Sequence, residues 1–96
     1  MDKTVYLINL FDYYGDLLTE KQKEYFKEYY FNNLSLSEIS DNSKVSRNGV
    51  HKALKEAEGK LNYYENVLSE YKRSVKIKNL IKDLDDDIKK KIEELI

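Results

Sequence analysis

The stretch from Leu34 to Leu61, LSLSEISDNSKVSRNGVHKALKEAEGKL, decides the fold of this chain, because it contains two signals for the start of a helix. Ser35 and Glu38 have the spacing of a capping box, in which each side chain accepts a hydrogen bond from the other residue's backbone N–H. Ser46 is a second N-cap residue. The stretch therefore predicts a short helix that begins after Ser35 and a longer helix that begins after Ser46.

The second helix is supported by a series of apolar residues at the 3-and-4 spacing of one helical face. These residues are Val50, Leu54, Ala57 and Leu61. Asp41–Lys44 supplies turn-forming side chains between the two helices, and Val45 is expected to fill the angle between them. A short helix, a tight turn and a long helix make a helix-turn-helix motif, which is typical of proteins that hold one helix against nucleic acid.

Polar side chains occupy the outer face of the predicted second helix, opposite Leu54. Arginine can bond guanine bidentately, asparagine can do the same to adenine, and lysine neutralises phosphate. We predict a nucleic-acid-binding face, although such residues are also common on a helix face that contacts only solvent. The predicted binding residues are Ser46, Arg47, Asn48, His51, Lys52 and Lys55.

Composition predicts one all-α domain. The chain has 96 residues, of which 41% are hydrophobic, and it contains no Pro and only three Gly. It has no Cys and no apolar stretch near the length of a membrane span, so we expect a cytoplasmic protein without membrane insertion. One His, no Cys and no Gly-rich phosphate loop argue against an enzyme, and we expect neither a cofactor, a metal site nor a small-molecule substrate.

Charge is unevenly distributed along the chain, although the net charge is only −1. The segment 43–61, which carries most of the motif, holds five basic and two acidic residues, whereas 1–42 is acidic and 62–96 is balanced. The basic excess therefore coincides with the predicted binding face. An excess of this size is modest, and a single chain is expected to bind nucleic acid weakly.

Two further helices are predicted before the motif. The first spans about Thr4 to Tyr14, and Gly15 is expected to end it in the left-handed conformation. Thr19 then caps the second helix, because Gln22 three residues later completes another capping box. Aromatic residues crowd this second helix, and we interpret them as core in preference to a platform for stacking bases. They are Tyr25, Phe26, Tyr29, Tyr30 and Phe31.

The helix that begins at Arg47 shows no stop signal until about Ser74. Its apolar residues keep the spacing of a coiled-coil seam beyond the motif, so a partner must cover them. That partner is either the chain's own first helix and tail or a second copy of the chain, and we predict a homodimer. The predicted dimer interface consists of Leu61, Tyr64, Leu68 and Tyr71.

The tail after Ser74 has two apolar sets and predicts two short helices, with Asp85–Asp87 at the start of the last one. A second basic cluster lies where the tail begins, and it suits either a solvated boundary between helices or contact with RNA or lipid phosphates. The cluster consists of Lys72, Arg73, Lys76 and Lys78.

Three segments of the chain resemble the YlxM-type helix-turn-helix proteins of Gram-positive bacteria and mollicutes, a family similar to region 4 of sigma factors. The segments are LLTEKQKEYFKEYY, LSLSEIS and VSRNGVHKALKEAEGKL, and the opening FDYYGDLLT also fits. The chain departs from the family pattern at Gly49, where a side chain able to touch DNA is usual, and at the more polar connector Asp41–Lys44. The resemblance implies a regulatory role in the signal recognition particle pathway.

These observations predict a domain of residues 1–61 that contains the motif, with 62–96 as a helical extension for dimerisation within the same single domain. Three hypotheses follow: a dimeric DNA-binding regulator, a module that binds RNA or the GTPase of the signal recognition particle, and a structural homodimer without nucleic-acid binding. We expect a nonenzymatic regulator that binds DNA, with RNA or particle components as alternative partners.

Overall fold

The computed structural model describes residues 2–96, which form six α-helices and no β-strand. The all-α prediction is therefore confirmed. A 3-10 turn, Gly15–Leu17, follows the first helix, and a π-helical turn, Lys27–Phe31, continues the second. The helices are α1 (Lys3–Tyr14), α2 (Glu20–Phe26), α3 (Leu36–Ser43), α4 (Arg47–Leu68), α5 (Glu70–Ile81) and α6 (Asp86–Glu93).

Local capping residues begin three of these helices as predicted. In the capping box at α2, Thr19 N–H donates to Gln22 Oε1 at 3.0 Å and Gln22 N–H donates to Thr19 Oγ1 at 3.2 Å. Ser35 and Glu38 make the equivalent pair at α3, at 3.0 and 3.1 Å. Ser46 Oγ caps α4. These bonds satisfy N–H groups that have no partner inside their own helix.

The core consists of two clusters, each of which contains a residue of α2. The smaller one holds the motif together, because it joins α2 to α3 and α4 through Tyr25, Ile39, Val50 and Leu54. The larger one packs α1 against α2 and α4. Its buried members are Leu7, Leu10, Tyr14, Leu18, Phe26, Ala57 and Leu61. Both clusters use the same face of α4, so the motif's second helix is held at two places along its length.

Gly15 does not end α1 in the predicted left-handed conformation, since its φ is −55° and its ψ is −36°. The chain instead continues into the 3-10 turn. The structure gives a different reason for the glycine: a Cβ atom here would lie 3.0 Å from the Phe11 ring. Phe11 in turn stacks on Phe26, with ring centroids 4.6 Å apart, so the ring has little room to move.

The predicted unbroken helix from Arg47 to about Ser74 is wrong, because the helix is interrupted at Ser69. α4 ends at Leu68, Ser69 takes the left-handed conformation with φ 55°, and α5 begins at Glu70. We call this break the α4–α5 junction. The domain boundary proposed at residue 61 lies inside α4.

The α4–α5 junction is held by side chains from distant parts of the chain. Glu65 is 7% exposed, and its carboxylate accepts hydrogen bonds from Tyr14 O–H at 2.6 Å and from the N–H groups of Tyr71 and Lys72 at 3.1 and 3.0 Å. The Tyr14 hydroxyl accepts from Glu70 N–H at 3.0 Å. The first three N–H groups of α5 are therefore capped by Glu65 and Tyr14.

The described chain is elongated, although α5 contacts α1 and α4 and Ile96 lies beside Tyr13 of α1. The radius of gyration is 16.4 Å and the longest dimension is 52 Å, whereas a compact chain of this length would have a radius of roughly 12 Å. α6 begins after Asp85 as predicted, but the Asp85 side chain makes no capping hydrogen bond. Within residues 2–96, no helix combines the length and the apolar character needed to span a bilayer.

Candidate nucleic-acid interface

All six predicted binding residues are exposed and lie at or just after the start of α4. At 100° per residue, the five helical ones span an arc of about 140° around the helix axis, beside the buried residues Val50 and Leu54. Two helical turns therefore present one arginine, one asparagine, one histidine and two lysines to solvent. The five helical residues are Arg47, Asn48, His51, Lys52 and Lys55.

Ser46 fixes the start of this surface. Its hydroxyl oxygen accepts a hydrogen bond from Gly49 N–H at 3.0 Å, which leaves the O–H proton able to donate to an anion. The N-terminus of α4 adds partial positive charge at the same place, because the helix dipole points there. The geometry of α4 thus favours an anionic ligand at its first turn.

Gly49 has a packing role that sequence reasoning missed. A Cβ atom at this position would lie 2.8 Å from Val45 Cγ1 and 3.1 Å from Ser46 Oγ. Val45 therefore packs against the first turn of α4, although 36% of it is exposed, and any side chain at residue 49 would displace it. The sequence contained both residues, but their contact depends on the left-handed Lys44, at φ 60°, which turns the chain between α3 and α4.

Lys55 differs from the other cations of this surface because it has an acidic neighbour. Its Nζ lies 3.5 Å from Glu58 Oε1, and Glu58 Oε2 accepts a hydrogen bond from Tyr30 O–H at 2.6 Å. Burial of the Tyr30 hydroxyl and its hydrogen bond to Glu58 raise the pKa of Tyr30 above its usual value. Glu58 therefore partly offsets the charge of Lys55.

The start of α1 lies beside the predicted binding face. This proximity was not predicted from the sequence. Lys3, Thr4 and Tyr29 line a groove of about 280 Å³ together with His51 and Lys55. Lys3 adds a cation at the edge of the predicted surface. Contacts between residues this far apart in sequence leave no periodic signal, and only the packing of α1 on α4 brings them together.

Only some aromatic residues of α2 and the π-helical turn are exposed to solvent. Tyr25 and Phe26 are 3% and 0% exposed and belong to the core, whereas Tyr29 and Phe31 are 38% and 44% exposed. Tyr30 lies in the π-helical turn, and its hydroxyl donates a hydrogen bond to Glu58 Oε2 at 2.6 Å. Tyr25 and Phe26 therefore cannot stack on bases.

The four residues of the predicted dimer interface lie in different environments. Leu61 is 0% exposed in the larger core cluster, so its contacts are made within the chain. Tyr64 and Tyr71 are half-buried against the same cluster, with Tyr64 6.1 Å from Tyr14 and Tyr71 5.8 Å from Tyr6 between ring centroids. Leu68 is 43% exposed and remains available to a second chain.

Among residues 2–96, no group of three His, Cys, Asp or Glu side chains is arranged to hold a metal ion. Asp85–Asp87 lies at the start of α6.

The arrangement of α2, α3 and α4, with a three-residue turn and an exposed polar helix start, defines a helix-turn-helix protein. The chain belongs to the family described as "Putative helix-turn-helix protein, YlxM / p13 like", whose sequence profile matches residues 1–96. The resemblance to YlxM-type proteins is therefore confirmed.

Relatives occur in several bacterial groups. A protein of Thermoanaerobacter sp. (strain X514) is 45% identical over 92 residues, which cover 96% of this chain and 75% of that protein. A protein of Fusobacterium nucleatum is 38% identical over 97 residues, which cover 100% of this chain and 94% of that protein. A protein of Malacoplasma penetrans is 42% identical over 78 residues, which cover 81% of this chain and 73% of that protein. All three are named as members of the same family.

Proposed function

We propose that this chain is a nonenzymatic regulator that binds duplex DNA through the first two turns of α4. The observation that carries the proposal is the exposure of the predicted binding residues on a helix start that Ser46 caps and two core clusters hold in place. A rigid helix with polar residues at its N-terminal end fits the major groove.

Phosphate contact supplies most of the binding in this proposal. Arg47, Lys52 and Lys3 provide cations around the helix start, while Gly49 offers no side chain to a base edge. Arg47 and Asn48 are the residues best suited to read bases, because they lie in the first helical turn. We therefore expect moderate affinity, strong salt dependence and limited sequence specificity.

A homodimer and a role in the signal recognition particle pathway form the finer part of the proposal. Two copies would double the number of phosphate contacts, which compensates for the modest charge of one chain. The assignment to this pathway rests on the family resemblance. The same resemblance makes RNA or a protein of the particle an alternative partner. Function in this pathway places the protein in the cytoplasm.

Fluorescence anisotropy on labelled duplex DNA and on the particle's RNA, at 50 and 200 mM salt, tests the proposal. If each of two copies makes about three phosphate contacts, log affinity should fall against log salt with a slope near −5. Lys52→Ala should make this slope shallower by nearly two in a dimer, since each copy loses one contact. Lys55→Ala should change it less, because Glu58 already offsets its charge.

Arg47→Ala separates base reading from phosphate contact. If Arg47 reads a base, its loss should cost about 1–3 kcal/mol on the preferred sequence and less on random DNA. If it meets only phosphate, both affinities should fall alike. Lys21→Ala is the matched control, because Lys21 is exposed on α2 and outside the binding face. Absence of binding to either nucleic acid at tens of micromolar protein in low salt would refute the proposal.

A further inference from the structure

The C-terminal part of the chain carries two adjacent blocks of opposite charge. Residues 72–82 contain five basic residues and no acidic one, and residues 83–87 contain four aspartates and no basic residue. We call them the basic block and the acidic block. The basic block consists of Lys72, Arg73, Lys76, Lys78 and Lys82, and the acidic block of Asp83, Asp85, Asp86 and Asp87.

The two blocks do not neutralise each other within one chain. All nine residues are exposed, and no ion pair among residues 2–96 joins the blocks. Arg73 pairs instead with Glu70, at 2.9 Å. Opposite charges that lie next to each other in sequence but remain exposed are available to a second molecule.

Apolar side chains lie among these charges on the same helices. Leu80 is 82% exposed, between Lys76 and Lys82, and these three residues line an open groove of about 380 Å³ together with Asn79. Val75, Leu84 and Ile88 are 47%, 44% and 51% exposed. Apolar residues ringed by charges are characteristic of a protein interface.

From this arrangement we infer that α5 and the start of α6 form a self-complementary interface with a second copy of the chain, rather than the seam of α4. When two copies run antiparallel about a two-fold axis near Leu80, the basic block of each meets the acidic block of the other. Both copies then satisfy their charges at once and cover Leu80 and Leu84. The exposure of these residues in the single chain leaves this surface accessible.

A second copy fits this surface better than nucleic acid does. Phosphates would meet the basic block, but they would be repelled by the four aspartates that directly follow it, whereas a copy of the chain matches both blocks. The inference deepens the proposed homodimer, on which it rests.

The experiment reverses the charge of each block in the full-length chain. One variant is Lys76→Glu/Lys82→Glu and the other is Asp83→Lys/Asp87→Lys. The matched control is Lys21→Glu/Lys27→Glu, with Lys21 on α2 and Lys27 in the π-helical turn. Asp85 is left unchanged because it is the N-cap of α6. Sedimentation equilibrium measures mass and Kd, and circular dichroism verifies that each variant is helical.

The wild type and the control should have about twice the chain mass of 11.5 kDa. Each reversed variant alone should dimerise about 30-fold more weakly or worse, since four contacts change sign, and an equimolar mixture of the two should restore a heterodimer with near wild-type Kd. Recovery in the mixture also shows that neither variant is simply unfolded.

Four results would overturn the inference, and they differ in what they imply. A monomeric wild type at high concentration would remove the proposed homodimer as well. If both reversed variants dimerise like the wild type, or if the mixture stays monomeric, only this interface is ruled out. A dimer interface that includes Leu68 would then be the alternative. Loss of DNA binding by Lys76→Glu/Lys82→Glu with an unchanged dimer mass would identify the basic block as a phosphate contact instead.

Discussion

Two of the turns between helices, the one before α4 and the one before α5, are stabilised in different ways. Between α3 and α4, Lys44 takes a left-handed conformation and the neighbouring Ser46 caps the next helix. At the α4–α5 junction, Ser69 takes nearly the same conformation, but the caps come from Glu65 and from Tyr14 on α1. The first turn is built locally, while the second depends on tertiary structure.

This difference predicts that the two turns fail differently. A local cap stabilises its helix whatever the rest of the fold does, so its loss has a small and contained cost. Glu65 and Tyr14 join three helices, so their loss should release α5 and α6 from the rest of the molecule.

The largest effect is expected from Glu65→Ala. The substitution removes a buried carboxylate that accepts three hydrogen bonds, and it should lower the free energy of unfolding by about 2–4 kcal/mol. Urea denaturation measures the total. Hydrogen exchange should show that amides of α5 and α6 lose protection first, while those of the motif keep theirs.

Glu65→Gln is the matched variant, because it keeps the shape of the side chain and one acceptor oxygen. Its cost should be clearly smaller than that of Glu65→Ala. Equal costs for the two variants would mean that the charge, and not the number of accepted hydrogen bonds, holds the junction. Uniform loss of protection in all helices would contradict the idea that the junction is a separate unit.

Ser46→Ala should have an intermediate effect. It removes one local cap from the first turn of α4 and should cost about 1 kcal/mol, within the range of 0.5–2 kcal/mol for N-caps. The decrease should appear in urea denaturation without selective exposure of α5 and α6. Ser35→Ala, which breaks the capping box of α3, provides a second local cap for comparison and should cost a similar amount.

A change within error for Ser46→Ala would show that the N-terminus of α4 is held by packing of Val45 against Gly49 rather than by the hydroxyl. A loss as large as that of Glu65→Ala would erase the distinction between the two turns.

Residues whose structural role is local were predictable from the sequence. The spacing from Thr19 to Gln22 and from Ser35 to Glu38 falls within one helical turn, so the pattern contains its own physical cause. The exposed face at the start of α4 followed from the same reasoning, because the apolar residues Val50 and Leu54 fix which side is buried.

Roles that depend on distant residues were not predictable. Tyr14 and Glu65 are 51 residues apart, and the apolar spacing from Leu61 to Leu68 and Tyr71 continues through the junction as if the helix did. The sequence pattern therefore predicted one long helix. For the same reason, the sequence did not predict that Lys3 lies beside His51 or that Val45 packs against Gly49.

The smallest effects are expected from replacing Lys44 and Ser69, the left-handed residues of these two turns, by glycine. A side chain in this conformation costs roughly 1–2 kcal/mol, whereas glycine adopts it freely but loses more conformational entropy on folding. Lys44→Gly should therefore stabilise the fold by about 0.5–1 kcal/mol. Ser69→Gly should gain less stability, because the Ser69 hydroxyl donates to Glu65 C=O at 3.4 Å and that weak bond is lost.

Thermal unfolding measures both glycine variants and, as a control, Ser69→Ala, which loses the hydroxyl but keeps the Cβ atom. Comparing Ser69→Ala with Ser69→Gly separates the effect of backbone strain from that of the hydrogen bond. Destabilisation by Lys44→Gly would mean that the turn before α4 is not strained, and the two turns would then differ in their backbone as well as in their caps.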